Sequence, residues 1–106
     1  MYNALMGIAI DVSPHQIADF CQRHHIRKLA LFGSVLRDDF SPNSDVDVLV
    51  EYEPASVVTL LDMAGQELEL GQMIGRKVDL RTPEDLSRHI RQKVTTTAQV
   101  IYERAR

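Results

Sequence analysis

Cysteine and tryptophan are almost absent from this chain of 106 residues, which has one cysteine, Cys21, and no tryptophan. A single thiol excludes an internal disulfide and a multi-cysteine zinc site. No stretch approaches the roughly 20 apolar residues of a membrane-spanning helix. Positive charge is also scarce, because 12 Lys and Arg face 15 Asp and Glu and give a net charge of -3. This balance argues against a protein whose main role is to coat nucleic acid.

The remaining composition is typical of a small globular protein. Hydrophobic residues make up 44% and charged residues 25% of the chain, which are ordinary values, and the length predicts one domain. We expect that domain over residues 13–106, after an N-terminal extension of residues 1–12, with Met1 and Met6 both open as the natural start. The first ten residues do not resemble a secretory signal and the chain has one thiol, so a cytoplasmic location is expected.

Alternating helices and strands predict an α/β (α+β) fold, a small mixed sheet of three to four strands flanked by helices. Ser13, Pro14 and Gln16 form the start signal of a first helix. Strands are predicted over 27–32, 45–52 and 77–81, a helical turn over 34–38, a long helix over 57–73, and a last helix from Thr82 onward. Residues 100–102 fit either an edge strand or a continuation of that helix.

Helical spacing of apolar residues predicts which face of each helix is buried. In the first helix this face contains Ile17, Phe20, Cys21 and His24. The expected buried residues of the long helix are Val57, Leu60, Leu61, Ala64 and Leu68, and those of the last helix are Leu86, Ile90 and Val94.

Two aspartates lie two residues apart at the start of the second strand. Side chains alternate along a strand, so Asp45 and Asp47 point to one face while Val46 and Val48 point into the core. Adjacent carboxylates repel each other unless water or a cation separates them, and a hard divalent ion such as Mg²⁺ prefers oxygen ligands. Taken alone, such a pair is also typical of the solvated face of a half-buried strand.

A third aspartate, Asp79, lies in the third strand on the same face as Lys77 and Arg81. If this strand neighbours the second one, Asp79 joins Asp45 and Asp47. Three carboxylates in one patch suit a two-metal site, in which one ion orients a triphosphate and the other activates an attacking oxygen. Taken alone, Asp79 is also compatible with an ordinary surface position.

A glycine–serine pair follows the first strand, where the helical turn is predicted to begin. Gly33 permits a close backbone approach to a phosphate, and free N–H groups at a helix start attract anions. The Ser34 hydroxyl adds a donor, and Arg37, three residues later, carries a planar guanidinium that suits phosphate oxygens. An ordinary strand-to-helix turn with a solvated arginine is the alternative.

The combined pattern resembles the nucleotidyltransferase superfamily related to DNA polymerase beta. It reads Gly33-Ser34-x-x-Arg37, then Ser44-Asp45-x-Asp47, then Val78-Asp79-Leu80. The small size resembles the minimal nucleotidyltransferases, known as MNT proteins, and the resemblance covers residues 13–102.

The resemblance implies a role for each of these residues. Asp45, Asp47 and Asp79 would be the catalytic and metal-binding residues for Mg²⁺, with two ions expected, and Asp79 would help to activate the incoming hydroxyl. The nucleoside triphosphate, ATP, would be held by Gly33, Ser34, Arg37 and Ser44.

The resemblance also implies a partner. Minimal nucleotidyltransferases are commonly paired with HEPN-domain toxins, and the nucleotidyltransferase acts as the antitoxin by transferring AMP from ATP to a tyrosine of the toxin. Two alternatives stay open: a non-catalytic antitoxin that neutralises its partner by binding, with a vestigial or regulatory nucleotide site, and a DNA-binding autoregulator. The negative net charge makes the second the weaker of the two, because nucleic-acid binders carry a basic surface.

Overall fold

The computed structural model describes residues 12–33 and 45–104. In chain order, the helices and strands of this part are α1 (Pro14–Arg23), β1 (Ile26–Phe32), β2 (Val46–Tyr52), α2 (Leu60–Ile74), β3 (Val78–Arg81), α3 (Arg88–Thr97) and β4 (Gln99–Glu103). A short 3-10 turn, Pro83–Asp85, lies between β3 and α3. None of the described helices has both the length and the apolar character that crossing a membrane requires.

The four strands form one sheet in the order β3-β2-β1-β4. β2 and β3 run parallel, whereas β1 pairs antiparallel with both β2 and β4. The expectation of a small mixed sheet flanked by helices is therefore confirmed. The open question at residues 100–102 is also answered, because β4 is an edge strand rather than an extension of the last helix.

Helices cover both faces of the sheet. The larger core lies on the face that carries α1 and α2 and contains Phe20, Leu29, Val48 and Leu70, each fully buried. A smaller cluster on the other face joins Ala30 and Leu49 to Val94 of α3. Alternation along β2 and β3 places Asp47 and Asp79 on the α3 face.

The start of α1 shows how closely local sequence determines a helix boundary here. The Ser13 side chain accepts a hydrogen bond from the backbone N–H of His15 at 3.2 Å, and Gln16 reaches back to the Ser13 N–H at 3.4 Å. Pro14 occupies the first helical turn, where its missing N–H has no intrahelical partner to lose. The predicted cap is confirmed, and Ile17, Phe20 and Cys21 of the predicted face are buried. His24 follows the last helical residue and is only partly buried, so its place on that face was predicted wrongly.

The prediction for the buried face of α2 is wrong. Its members are largely exposed, at 89% for Val57, 86% for Leu60, 82% for Leu61 and 71% for Leu68, and Ala64 is exposed as well. The helix instead buries Gln66, Leu70 and Ile74. Hydropathy predicts the wrong face because a polar residue such as Gln66 is expected to be exposed. In the structure Gln66 is buried, and its Oε1 accepts a hydrogen bond from the Tyr52 hydroxyl at 2.6 Å, which satisfies the amide oxygen inside the protein.

The last helix begins later than predicted. Thr82 precedes only the 3-10 turn, and the backbone at Leu86 is extended, which interrupts the helix. The N-cap of α3 is therefore Ser87, whose side chain accepts a hydrogen bond from the Ile90 N–H at 3.3 Å. Val94 is buried as expected, whereas Ile90 is 50% exposed. The expected assignment of residues 1–12 as an extension and 13–106 as the domain stays a prediction.

Truncation of two leucines within α2 tests its orientation. Leu70→Ala removes a fully buried side chain and should lower the free energy of unfolding by about 2–5 kcal/mol. Leu68→Ala, the matched control two residues away, should change it by no more than about 0.5 kcal/mol. Urea denaturation followed by circular dichroism measures both values, and a larger loss for Leu68→Ala than for Leu70→Ala would show that α2 packs on the opposite face.

Candidate active site

The parallel pairing of β2 with β3 sets two carboxylates side by side. Asp47 and Asp79 are register partners, and partner residues on neighbouring strands lie about 4.8 Å apart along the hydrogen-bonding direction. Both side chains are only partly buried, because α3 covers the middle of this face rather than the β3 edge. The third predicted strand therefore does lie next to the second, which is the condition for Asp79 to join the other two aspartates.

Gly33, which follows the last residue of β1, lies against the carboxylate of Asp47. Its φ of 77° lies in the left-handed region, which glycine adopts without strain. A Cβ built on Gly33 would collide with the Oδ2 atom of Asp47 and would lie 3.2 Å from its Cγ. The absence of a side chain at Gly33 therefore leaves the space that the Asp47 carboxylate occupies.

Two cations flank the aspartates, Lys77 directly before β3 and Arg81 at its end. The Nζ atom of Lys77 lies 3.9 Å from the Oδ2 atom of Asp45. Arg81 donates from Nε and from Nη2 to the two carboxylate oxygens of Asp79, each at 3.1 Å. These hydrogen bonds raise the pKa of the Arg81 guanidinium, and the charges of Asp85 and Asp47 act in the same direction. Arg81 is therefore a permanent cation within this acidic patch.

The carboxylates are the kind of ligand that Mg²⁺ takes. Among residues 12–33 and 45–104, no three His, Cys, Asp or Glu side chains form a closed metal-binding cluster, and the Asp79 carboxylate is hydrogen-bonded to Arg81. All the candidate ligands nevertheless supply oxygen, and the Asp79 side chain keeps 37% of its surface exposed. Such an open, all-oxygen site suits Mg²⁺, which retains several of its waters in proteins.

Three of the predicted nucleotide-binding residues, Ser34, Arg37 and Ser44, lie outside the described residues, and so does the helical turn predicted over 34–38. Gly33, Asp45, Asp47 and Asp79 are described. The assignment of all seven as site residues stays a prediction.

Arg81 pairs with Asp79, an interaction that the sequence analysis does not predict, although it places both residues on one face of the strand. The sequence feature that indicates such a pair is a carboxylate and a guanidinium two residues apart on one strand, since this spacing puts both side chains on one face.

Two other reactive side chains of the described region belong to the core. Burial raises the pKa of the Cys21 thiol to about 12, and burial also raises the pKa of Tyr52 to about 12, with the charge of Asp62 adding to it. Neither group ionises near neutral pH. Cys21 lies in the core, as the sequence predicts, and Tyr52 packs against that core and donates to Gln66.

Comparison with known proteins identifies the family. The model of the nucleotidyltransferase domain family matches residues 15–104, so this chain belongs to that family, and the predicted resemblance is confirmed. A candidate protein adenylyltransferase of Methanocaldococcus jannaschii is 33% identical over 66 residues, which cover 61% of this chain and 64% of that relative. The protein adenylyltransferase MntA of Thermococcus cleftensis is 32% identical over 81 residues, which cover 76% of this chain and 78% of MntA.

Solved structures share the fold. A candidate minimal nucleotidyltransferase aligns with a TM-score of 0.66 and 33% identity over 80% of this chain and 85% of its own. A toxin–antitoxin structure with AMP-PNP aligns with a TM-score of 0.70 and 20% identity, over 88% of this chain and 75% of its own. A complex of tri-AMPylated Shewanella oneidensis HEPN toxin with MNT antitoxin gives a TM-score of 0.62 and 19% identity, over 86% and 70% of the two chains.

Replacement of Gly33 by alanine tests the close approach at the site. Gly33→Ala places a Cβ against Asp47 at a positive φ and should lower the free energy of unfolding by more than about 1 kcal/mol. Gly65→Ala is the control, because nothing lies within 4 Å of the added Cβ, and this replacement inside an exposed helix should raise stability by about 0.5–1 kcal/mol. Urea denaturation measures both.

The double variant Gly33→Ala, Asp47→Ala lacks the carboxylate that collides with the new Cβ of residue 33. It should therefore regain part of the stability lost in Gly33→Ala, with the remaining loss due to the backbone conformation. Full additivity of the two single variants would contradict direct contact between these residues.

Proposed function

We propose that this protein transfers AMP from ATP to a hydroxyl group of a HEPN-family toxin, expected to be a tyrosine, and thereby acts as the antitoxin of the pair. The observation that carries the proposal is the register pairing of Asp47 with Asp79 directly beside Gly33. This arrangement joins carboxylates, which suit a divalent cation, to a backbone that permits close approach of a phosphate.

Each site residue has a role in the proposed reaction. The backbone at Gly33 and the Ser34 hydroxyl bind the β- and γ-phosphates, with Arg37 and Ser44 as further contacts to the nucleotide. Asp45, Asp47 and Asp79 hold Mg²⁺, with two ions proposed, and the bound metal supplies neutralisation of the charge that develops on the attacking and leaving oxygens.

The reaction is an in-line displacement. The acceptor oxygen forms a bond to the α-phosphorus of ATP, the bond from that phosphorus to the bridging oxygen breaks, and pyrophosphate leaves with the electron pair. Asp79 assists the loss of the proton from the acceptor hydroxyl. Most of the rate enhancement in such a transfer comes from positioning and charge stabilisation, which rigid strand pairing provides.

The relatives support both the activity and the partner. Two are named as protein adenylyltransferases, and a neighbour of the same fold is the MNT antitoxin bound to an AMPylated HEPN toxin. The cytoplasm, inferred from the single cysteine, stays a prediction.

A second candidate function is neutralisation of the toxin by binding alone. The exposed apolar stripe of α2, formed by Val57, Leu60, Leu61, Ala64 and Leu68, favours it, because contiguous exposed apolar surface commonly marks an interaction site. Binding and catalysis are compatible in one protein, so the two candidates differ in whether the carboxylates are needed.

Charge removal at the site tests the enzymatic proposal. Asp47→Asn should reduce AMP transfer to the HEPN partner by at least about a hundredfold, since loss of a group that stabilises transition-state charge costs that much. Intact-mass spectrometry of the partner after incubation with ATP and Mg²⁺ measures the AMP adduct. The control variant Glu103→Gln carries an equal charge change on β4, the opposite edge strand, and should retain wild-type transfer. Absence of an AMP adduct with the wild-type protein would refute the activity.

A toxicity assay in cells separates the two candidates. The double variant Asp45→Ala, Asp47→Ala should fail to rescue growth when the toxin is expressed, because the toxin remains unmodified. Rescue by this variant at wild-type expression level would instead favour neutralisation by binding.

A further inference from the structure

The Asp79–Arg81 ion pair occupies both oxygens of a carboxylate that the proposed function assigns to a metal ion. Arg81 lies two residues after Asp79 on β3, and the two side chains share one face of the strand. The guanidinium donates twice in parallel, at 3.1 Å from Nε and 3.1 Å from Nη2. Paired hydrogen bonds of this kind fix the orientation of the carboxylate relative to the guanidinium.

The surroundings explain why the pair forms. Asp47 lies beside Asp79 in register, and the charges of Asp47 and Asp85 both act on Arg81. Neighbouring carboxylates repel each other, and a nearby cation reduces that repulsion. Arg81 therefore supplies part of the positive charge that a divalent ion would bring to the acidic patch.

The pair is also accessible enough to open. The side chain of Asp79 is 37% exposed and that of Arg81 is 47% exposed. Ion pairs at this degree of exposure contribute little free energy, because water competes for both partners. A cation that approaches from solvent can therefore displace the guanidinium without disrupting the core.

We propose that Arg81 is a built-in counter-ion that competes with the divalent metal for Asp79, so that metal binding requires this ion pair to open. The inference rests on the proposed function, because it takes Asp79 as a metal ligand. Arg81 is a positioning residue in this account: it holds the Asp79 carboxylate in the metal-free protein and releases it when the cation binds.

The competition has a measurable consequence for affinity. The apparent dissociation constant of a ligand equals its intrinsic value divided by the fraction of protein in the binding-competent state. Here the competent state is the one in which the Asp79–Arg81 ion pair is open. For an exposed ion pair this penalty amounts to about two- to fivefold. Removal of the guanidinium should therefore tighten metal binding by that factor.

Direct titration with Mn²⁺ tests this, with free Mn²⁺ measured by electron paramagnetic resonance and no nucleotide or turnover involved. Arg81→Gln should bind Mn²⁺ about two- to fivefold more tightly than the wild type. Arg81→Lys keeps the charge but loses the paired hydrogen bonds, so it should also bind more tightly than the wild type. Wild-type affinity in Arg81→Gln would overturn the proposal.

Wild-type affinity in Arg81→Lys alone would overturn it as well, because the gain in Arg81→Gln would then follow from net charge. Circular dichroism confirms folding of each variant, and Arg81→Lys decides the question if Arg81→Gln does not fold.

Aspartate variants separate this inference from the proposed function. If Asp47→Asn and Asp79→Asn lose Mn²⁺ binding while both Arg81 variants keep wild-type affinity, the metal site stands and only the counter-ion role is refuted. If no protein in the series binds Mn²⁺, or if Asp47→Asn binds it as the wild type does, the metal site of the proposed function is refuted together with the inference.

Discussion

The parallel register between β2 and β3 is the constraint on which the rest of the account depends. It aligns Asp47 with Asp79, although 31 residues of intervening sequence, including α2, separate these two aspartates along the chain. A shift of one residue would turn one of the carboxylates toward the core, since strand side chains alternate between faces. The buried partners Val46, Val48, Val78 and Leu80 prevent such a shift, so the hydrophobic core fixes the position of the polar site.

Much of this arrangement could be predicted from the sequence because it depends on local rules. Strand alternation places Asp45 and Asp47 on one face, and the capping residues Ser13 and Gln16 determine where α1 begins. The spacing of the glycine–serine pair, the two aspartates and the third aspartate is typical of one family, and that family is the one the chain belongs to.

The features that escaped prediction depend on contacts between distant residues. The buried face of α2 contains Leu70 and Ile74 together with Gln66. The hydrogen bond from Tyr52 satisfies Gln66 there, which no hydropathy pattern reveals, and α2 carries apolar residues on both faces. The pairing of Arg81 with Asp79 was compatible with the spacing, but the neighbouring charges of Asp47 and Asp85 that favour it become visible only in the folded sheet. Sequence patterns thus predicted that Asp47 and Asp79 come together on neighbouring strands and left the electrostatics around them undetermined.

The most direct test of the central claim is a nuclear magnetic resonance titration of the isotopically labelled protein with Mn²⁺ in the presence of AMP-PNP. Paramagnetic broadening falls steeply with distance from the ion. The account predicts that the backbone amide signals of Gly33, Asp47 and Asp79 disappear first, while those of Glu53 and Arg104, at the opposite end of the sheet, persist. Earlier loss of the Glu53 and Arg104 signals, or uniform broadening of all five, would contradict a metal–nucleotide site at the β2–β3 edge.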